Sequence, residues 1–202
     1  MRVFTEKKHI SKAEINQLPM RQYDGPIHLC RTPEEAEAAA GKLKKETLLG
    51  FDTETRPAFR KGESYDPSLL QLATGNEVYL FQIQQTGLIP GLLEILASRE
   101  IIKAGVAIDR DVNELQAMSD FEPDGFVELA DHAKKAHIKN LGLRGLTAIL
   151  FEFRISKKEQ VSNWARKELT ASQQTYAATD AWLGHKIYMH FKQAGLMEHL
   201  QD

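Results

Sequence analysis

Two acidic residues that follow a short apolar run constrain this chain more than any other feature. Asp52 and Glu54 stand in the segment Phe51-Asp52-Thr53-Glu54-Thr55, directly after Leu48-Leu49-Gly50, which is typical of the end of a buried strand. Alternate side chains of a strand share a face, so both carboxylates point the same way. Neighbouring carboxylates repel each other unless a divalent cation neutralises them. The segment therefore predicts a strand that carries metal ligands.

Apolar runs elsewhere in the chain predict a mixed α/β sheet of about five strands, one of them antiparallel, flanked by helices. Gly75-Asn76 separates two of these runs as a tight hairpin turn. Thr32-Pro33-Glu34-Glu35 combines an N-cap, a proline at the first helical position and a capping-box glutamate, so a helix begins there. The last helix is predicted from about Thr170 to Gln193. Strands are predicted at 47–53, 68–74, 77–83, 101–106 and 126–129, with 27–30 as a further candidate.

The chain of 202 residues is long enough for one domain with one sizeable core. Residues 1–26 are polar, with prolines and a glycine near their end, and predict an N-terminal arm on a domain that spans 27–202. A single cysteine, Cys30, excludes an internal disulfide and suits a reducing compartment. Without a signal-peptide pattern or a run of roughly 20 apolar residues, we expect a cytoplasmic protein that does not bind membranes.

Two later segments add acids to the first pair. The segment Gly105–Asp111 places acids directly after an apolar strand, and the last helix carries Tyr176 and Asp180 on one face, four residues apart. Ligand sites in open α/β sheets gather at the carboxyl ends of strands, so these elements can converge with Asp52. Carboxylates without a cysteine cluster favour magnesium or manganese over zinc. Two such ions about 3.5–4 Å apart can activate a water and stabilise the leaving oxygen of a phosphodiester.

Together these segments resemble the three motifs of the DEDD superfamily of 3′–5′ exonucleases. The segments are Phe51-Asp52-Thr53-Glu54-Thr55, Gly105-Val106-Ala107-Ile108-Asp109-Arg110-Asp111 and Tyr176-Ala177-Ala178-Thr179-Asp180-Ala181-Trp182. A tyrosine four residues before the last aspartate resembles the DEDDy branch, since the histidine branch has its histidine one residue earlier, where this chain has Thr175. Leu70-Gln71-Leu72-Ala73 and Ser162-Asn163-Trp164 add to the similarity, which is greatest to RNase D-like and Werner-type exonuclease domains and runs from about residue 27 to 191.

The resemblance implies an RNase H-like fold and a metal-dependent hydrolase that releases nucleoside 5′-monophosphates from the 3′ end of RNA or DNA. It implies two divalent cations, Mg2+ or Mn2+, with Asp52, Glu54 and Asp180 on the first ion and Asp52 shared with the second. Asp111 would help to hold an ion through water, and Tyr176 would position the attacking water. The expected partner is a single-stranded 3′ end.

The third acid has two candidates in the sequence. The family spacing after Gly-Val-x-Ile favours Asp111, and Asp109, two residues earlier, is its rival. Taken alone, Asp111 is also explained as an acid in the first turn of a helix, where the helix dipole favours negative charge. We therefore keep both positions open at this point.

The residues expected to contact substrate are mostly basic. Arg56, Arg60 and Lys61 follow the first acids, with Phe59 and Tyr65 interleaved, a pattern that suits backbone phosphates and a stacked base as well as a plain solvated loop. Arg110, Arg144, Arg166 and Lys167 can also line a groove, and the pair after Trp164 is favoured, whereas Lys157-Lys158 is typical of plain surface. The predicted substrate-binding set is Thr53, Arg56, Arg60, Lys61, Trp164 and Arg166.

The net charge of −2 does not by itself predict a nucleic-acid-binding protein, but two bound divalent cations would bring it to about +2. The function predicted is a two-metal 3′–5′ exonuclease. Two alternatives stay open: a nucleic-acid-binding scaffold without turnover, and a phosphodiesterase that acts on very short oligonucleotides.

Overall fold

A computed structural model describes residues 5–60 and 62–197. Its strands are β1 (Ile27–Cys30), β2 (Leu48–Glu54), β3 (Leu69–Ala73), β4 (Val78–Phe81), β5 (Ile102–Gly105) and β6 (Phe126–Glu128). Its helices are α1 (Lys12–Gln17), α2 (Pro33–Leu43), α3 (Ile83–Thr86), α4 (Pro90–Ala97), α5 (Asp109–Met118), α6 (Leu129–Lys135), α7 (Leu143–Phe151) and α8 (Ala171–Gln193).

The strands form one mixed sheet in the order β1-β4-β3-β2-β5-β6. β3 runs antiparallel to both of its neighbours, and the other pairs are parallel. The predicted mixed α/β architecture with one antiparallel strand and flanking helices is therefore confirmed. The described sheet has six strands, because β1 adds to its edge through parallel pairing with β4, where Ile27 is aligned with Val78.

Helices cover both faces of the sheet, and β2 contributes to both cores. Leu49 and Phe51 pack on one face with side chains of α2 and α4. The alternate positions of β2, which include Gly50, Asp52 and Glu54, face α8 on the other side.

 The two acids of β2 are on the face that α8 covers. Asp52 therefore lies within electrostatic reach of Asp180 on α8.

The long helix α8 begins where the sequence predicts. Thr170 is its N-cap and forms a capping box with Gln173, which satisfies backbone donors at the helix start. Small residues let α8 approach the sheet closely: a Cβ added at Gly50 would overlap the Ala181 carbonyl oxygen, and one at Gly184 would overlap that of Ala104. Within the described residues, no helix combines the length and apolar character needed to cross a membrane.

The described part of the N-terminal segment, residues 5–26, packs on the sheet domain and contains a helix that we did not predict. Ser11 and Glu14 form a capping box at the start of α1. Further along, the Tyr23 backbone N–H donates to Thr179 Oγ1 on α8 at 3.0 Å. The Ser-x-x-Glu signature was present in the sequence, but the polar composition of the segment concealed it.

Candidate metal centre

Three carboxylates converge at the end of β2. Asp52 and Glu54 leave the strand on one face, and Asp180 reaches the same place from α8. One oxygen of each carboxylate lies within 4.8 Å of the others, which is close enough for the three to share an ion. Asp180 is buried, and the two acids of β2 are half-buried.

The electrostatics of these acids indicate a site for a cation. Burial, followed by the charges of Asp180 and Asp111, raises the pKa of Asp52 well above its usual range. Burial and the charge of Asp52 do the same to the pKa of Glu54. Burial raises the pKa of Asp180 to about 7, against a hydrogen bond from Tyr176 that lowers it. Full ionisation of this cluster is unfavourable without a counter-ion, and hard carboxylate oxygens suit magnesium or manganese.

A fourth acid, Asp111, lies beside these three. Its Oδ1 accepts a hydrogen bond from the Thr53 hydroxyl on β2, and its charge helps to raise the pKa of Asp52. Asp109 is exposed and lines a separate surface groove with residues of β6 and α6. The structure thus brings Asp111 to the acids and leaves Asp109 outside the site.

Tyr176 lies one helical turn before Asp180, and its ring packs against Trp164 with centroids 6.0 Å apart. Burial, then the charges of Asp180 and Glu54, raise the pKa of the Tyr176 hydroxyl far above its usual value. The phenol is therefore neutral at physiological pH. It can orient a water through hydrogen bonds, but it is too weakly acidic to serve as a phenolate base.

Among the predicted substrate-binding residues, two are buried and one lines a different groove. Trp164 is 1% exposed and supports Tyr176 from behind, so its ring does not face a substrate. Thr53 is buried and holds Asp111. Arg166 is exposed but lines a different groove, where its carbonyl oxygen accepts a hydrogen bond from Gln82. These positions depend on packing between distant segments, which the local sequence does not show.

The loop after β2 carries the other predicted contacts. The Arg56 guanidinium lies 4.1 Å from the centre of the Tyr65 ring, a cation–π contact. Arg60 is exposed, and the Phe59 side chain beside it is 84% exposed. Lys61 lies outside the described residues. The loop therefore presents an arginine and an aromatic ring to solvent, near the end of the strand that carries the acids.

A cleft of about 500 Å³ opens over the acids. Its floor includes Asp52, Glu54 and Asp180, and Tyr176 stands in its wall. Cationic side chains from three separate segments complete the lining: Lys12, Arg144 and Lys157. Lys157, which we interpreted as plain surface, is exposed and lies in this lining, and Lys12 was not singled out at all, because only the tertiary fold brings either residue to the cleft.

Comparison with known proteins shows the family to which the chain belongs. A family model described as 3′-5′ exonuclease matches residues 27–195, and the chain belongs to that family, as a member of its DEDD type. The mouse bifunctional 3′-5′ exonuclease/ATP-dependent helicase WRN is 30% identical over 201 residues, which cover 94% of this chain and 14% of the relative. The chain spans less than half the length of the first curated relatives that it matches.

Solved structures show the same fold at lower identity. The Aedes aegypti Nibbler EXO domain superposes with a TM-score of 0.77 at 22% identity, covering 90% of this chain and 94% of that one. Escherichia coli RNase D superposes with a TM-score of 0.71 at 18% identity, covering 88% of this chain and 48% of that one. The predicted RNase H-like exonuclease fold is confirmed.

The raised pKa values predict that metal binding and pH act together on stability. The pKa of Asp180 is about 7 in the folded protein, above its usual value of 3.8, so the folded state holds the proton more tightly than the unfolded chain. This contribution to stability is fully present below about pH 4 and is lost as pH rises through about 7. We expect manganese to raise the melting temperature more at about pH 8 than at about pH 6, since protons compete with the ion at the lower pH.

Differential scanning fluorimetry with EDTA or MnCl2 across this pH range measures the effect. Each kcal/mol corresponds to roughly 2–4 °C in a protein of this size. Asp180→Asn should abolish most of the manganese response at both pH values, because it removes a ligand. A manganese response that is equal at both pH values would contradict the linkage.

Proposed function

We propose that this chain is a metal-dependent 3′–5′ exonuclease that hydrolyses phosphodiester bonds at the 3′ end of a nucleic acid strand. The observation that carries the proposal is the convergence of Asp52, Glu54 and Asp180 within 4.8 Å, in a cleft walled by Tyr176. Membership of the 3′-5′ exonuclease family supports the same reaction.

Each residue has a distinct role in the proposed mechanism. Asp52, whose charge interacts with those of Glu54, Asp180 and Asp111, would hold one ion together with Glu54 and Asp180 and would help to hold a second. Asp111, which accepts a hydrogen bond from the Thr53 hydroxyl, would help to hold the second ion through a water. When bound, the two divalent cations lower the pKa of a water and stabilise the leaving oxygen.

Tyr176 orients the attacking water in this reaction. Its neutral hydroxyl donates to Asp180 and its oxygen can accept a hydrogen bond from the attacking water. Attack on the last phosphodiester forms a new O–P bond and breaks the bond from phosphorus to the O3′ of the preceding nucleotide. The attacking water gives up a proton to solvent, O3′ leaves with a proton from solvent, and the product is a nucleoside 5′-monophosphate.

The surroundings of the acids suit a single strand of RNA or DNA. Arg144 and Lys157 line the cleft and can contact backbone phosphates. Phe59 presents its ring to solvent in the loop that follows β2, where a terminal base can stack on it. Arg56 and Arg60 stand in the same loop.

The direct test is digestion of 5′-labelled oligonucleotides in magnesium or manganese. Single-stranded RNA, single-stranded DNA and a recessed duplex are compared over a series of lengths. We expect a ladder of products shortened one nucleotide at a time, and no products in EDTA. Binding without any product would favour the scaffold alternative, whereas cleavage confined to the shortest substrates would favour a phosphodiesterase for very short oligonucleotides.

Tyr176→Phe is expected to lower the cleavage rate by about 100-fold while leaving residual activity, since the acids remain but the water loses its orientation. Tyr188→Phe is a matched control on the same helix, because Tyr188 is buried in the core and does not line the cleft. Single-turnover rates of the two variants give the comparison. Equal rates for both would contradict the role proposed for Tyr176.

A further inference from the structure

The cleft over the acids is completed by the N-terminal segment. Lys12 and Ile15 of α1 line it together with Asp52, Glu54 and Tyr176. This segment lies before residue 27, where the match to the exonuclease family model begins. A part of the chain that precedes the region matched by the family model therefore forms one wall of the site.

Hydrogen bonds hold α1 in this place at both of its ends. Before the helix, the backbone of Ile10 exchanges two hydrogen bonds with the side-chain amide of Asn140, at 2.9 and 3.0 Å. After the helix, Arg154 Nε donates to the Leu18 carbonyl oxygen at 3.0 Å, and the Arg154 backbone N–H donates to the Pro19 carbonyl oxygen at 2.9 Å. The wall is thus a fixed part of the fold, and the lysine on it stands in a defined place.

α1 also fixes a second cation of the cleft. Arg144 Nη2 donates to Asn16 Oδ1 at 2.6 Å, which ties the guanidinium to α1. Arg144 Nε is buried and has no hydrogen-bond partner within the described residues. The guanidinium keeps donors that its protein contacts do not use, and it lies in the lining of the cleft.

The positively charged side chains in the cleft wall are suited to binding an anion. Within residues 5–60 and 62–197, neither Lys12 nor Arg144 forms an ion pair with a carboxylate. The carboxylates on the floor face one another, where cations would neutralise them. Cations that border such a floor without acidic partners suit the backbone of a strand whose terminal phosphate lies at the acids.

We propose that the N-terminal segment is part of the nucleic-acid groove: Lys12 contacts a backbone phosphate of the bound strand, and Asn16 positions Arg144 to contact another. This inference rests on the proposed function for the choice of nucleic acid as the ligand. It assigns the N-terminal segment a role in substrate binding beyond that of a structural support.

The salt dependence of binding tests the role of Lys12. Binding of a 5′-fluorescein single strand is followed by anisotropy in an Asp52→Asn background, which prevents digestion during the measurement. Each lost phosphate contact reduces the slope of log affinity against log salt by about 0.7 for single strands. We expect that reduction for Lys12→Gln, and its reversal for Lys12→Arg.

Lys45→Gln is the charge-matched control. Lys45 is exposed and precedes β2, so it lies at the opposite end of that strand, roughly 20 Å from the acids at about 3.3 Å per residue. Its replacement should leave the slope unchanged. A Lys12→Gln slope equal to that of the background protein would overturn the proposal, whether or not its melting temperature falls.

A double-mutant cycle tests the role of Asn16. Asn16→Ala should raise KM about threefold with little change in kcat, and it should have no further effect once Arg144 is replaced by Ala, because its action passes through Arg144. Equal effects of Asn16→Ala with and without Arg144 would overturn the positioning role.

The outcomes also separate this inference from the proposed function. Normal digestion with a salt slope that is independent of Lys12 would refute only the groove wall. Lys12-dependent binding without any digestion by the wild-type protein would refute only the exonuclease reaction.

Discussion

Asp52→Ala is expected to lower the cleavage rate of a 5′-labelled oligonucleotide by about 10³-fold or more. Asp52 lies within electrostatic reach of Glu54, Asp180 and Asp111, and its removal would deprive both proposed ion positions of a ligand. Glu54 is carried by β2 and Asp180 by α8, and Asp111 is held by Thr53, so no other acid within the described residues is placed to replace Asp52. Product ladders from time courses in manganese measure the loss.

Asp109→Ala is the matched control for this loss. Asp109 is an exposed acid only two residues from Asp111, but it lines a different groove, so its replacement should leave the rate unchanged. The metal-free Asp52→Ala protein should also melt at a higher temperature than the wild type at about pH 8, because the change relieves repulsion among the acids. A variant that is stable and still digests the substrate at the wild-type rate would refute the two-metal site.

Gly50→Ala is expected to have the second largest effect, although Gly50 is not a ligand. Its Cβ would overlap the Ala181 carbonyl oxygen, so α8 would have to move away from β2. Overpacking of this kind costs about 1–3 kcal/mol or more of unfolding free energy. A shift of about 1 Å between Asp52 and Asp180 can cost roughly 100-fold in rate.

Gly41→Ala is the control, and this glycine-to-alanine change is expected to stabilise the protein. Gly41 lies within α2, and an added Cβ would meet nothing within 4 Å. Alanine is favoured over glycine inside a helix, so this variant should gain about 0.5–1 kcal/mol and keep its activity. Urea unfolding and cleavage rates of both variants test the argument, and unchanged values for Gly50→Ala would contradict the close approach of α8.

The elements and the types of ligand could be predicted from local patterns. The capping box at Thr170 predicted the start of α8, and the apolar runs predicted the strands to within about two residues. The alternation of side chains along β2 placed Asp52 and Glu54 on one face, and helical spacing did the same for Tyr176 and Asp180. Each of these inferences depends only on geometry within one element.

Contacts between different helices, strands and loops could not be predicted from local patterns and are known only from the tertiary structure. The choice of Asp111 over Asp109 depends on a hydrogen bond from Thr53, 58 residues away in the chain. Trp164, a predicted substrate contact, is buried behind Tyr176 because helix and loop pack there. Lys12 gave no local signal of its place beside the acids.

The sequence by itself therefore determined the kind of chemistry: a strand with two acids, a helix with a tyrosine and an aspartate, and the order in which they occur. The tertiary structure decided which acids meet and which cations surround them. The physical reason is that backbone periodicity sets the direction of a side chain within its own element, whereas the distance between elements is set by packing. At this site that distance depends on Gly50, where the backbone of β2 comes into contact with the backbone of α8.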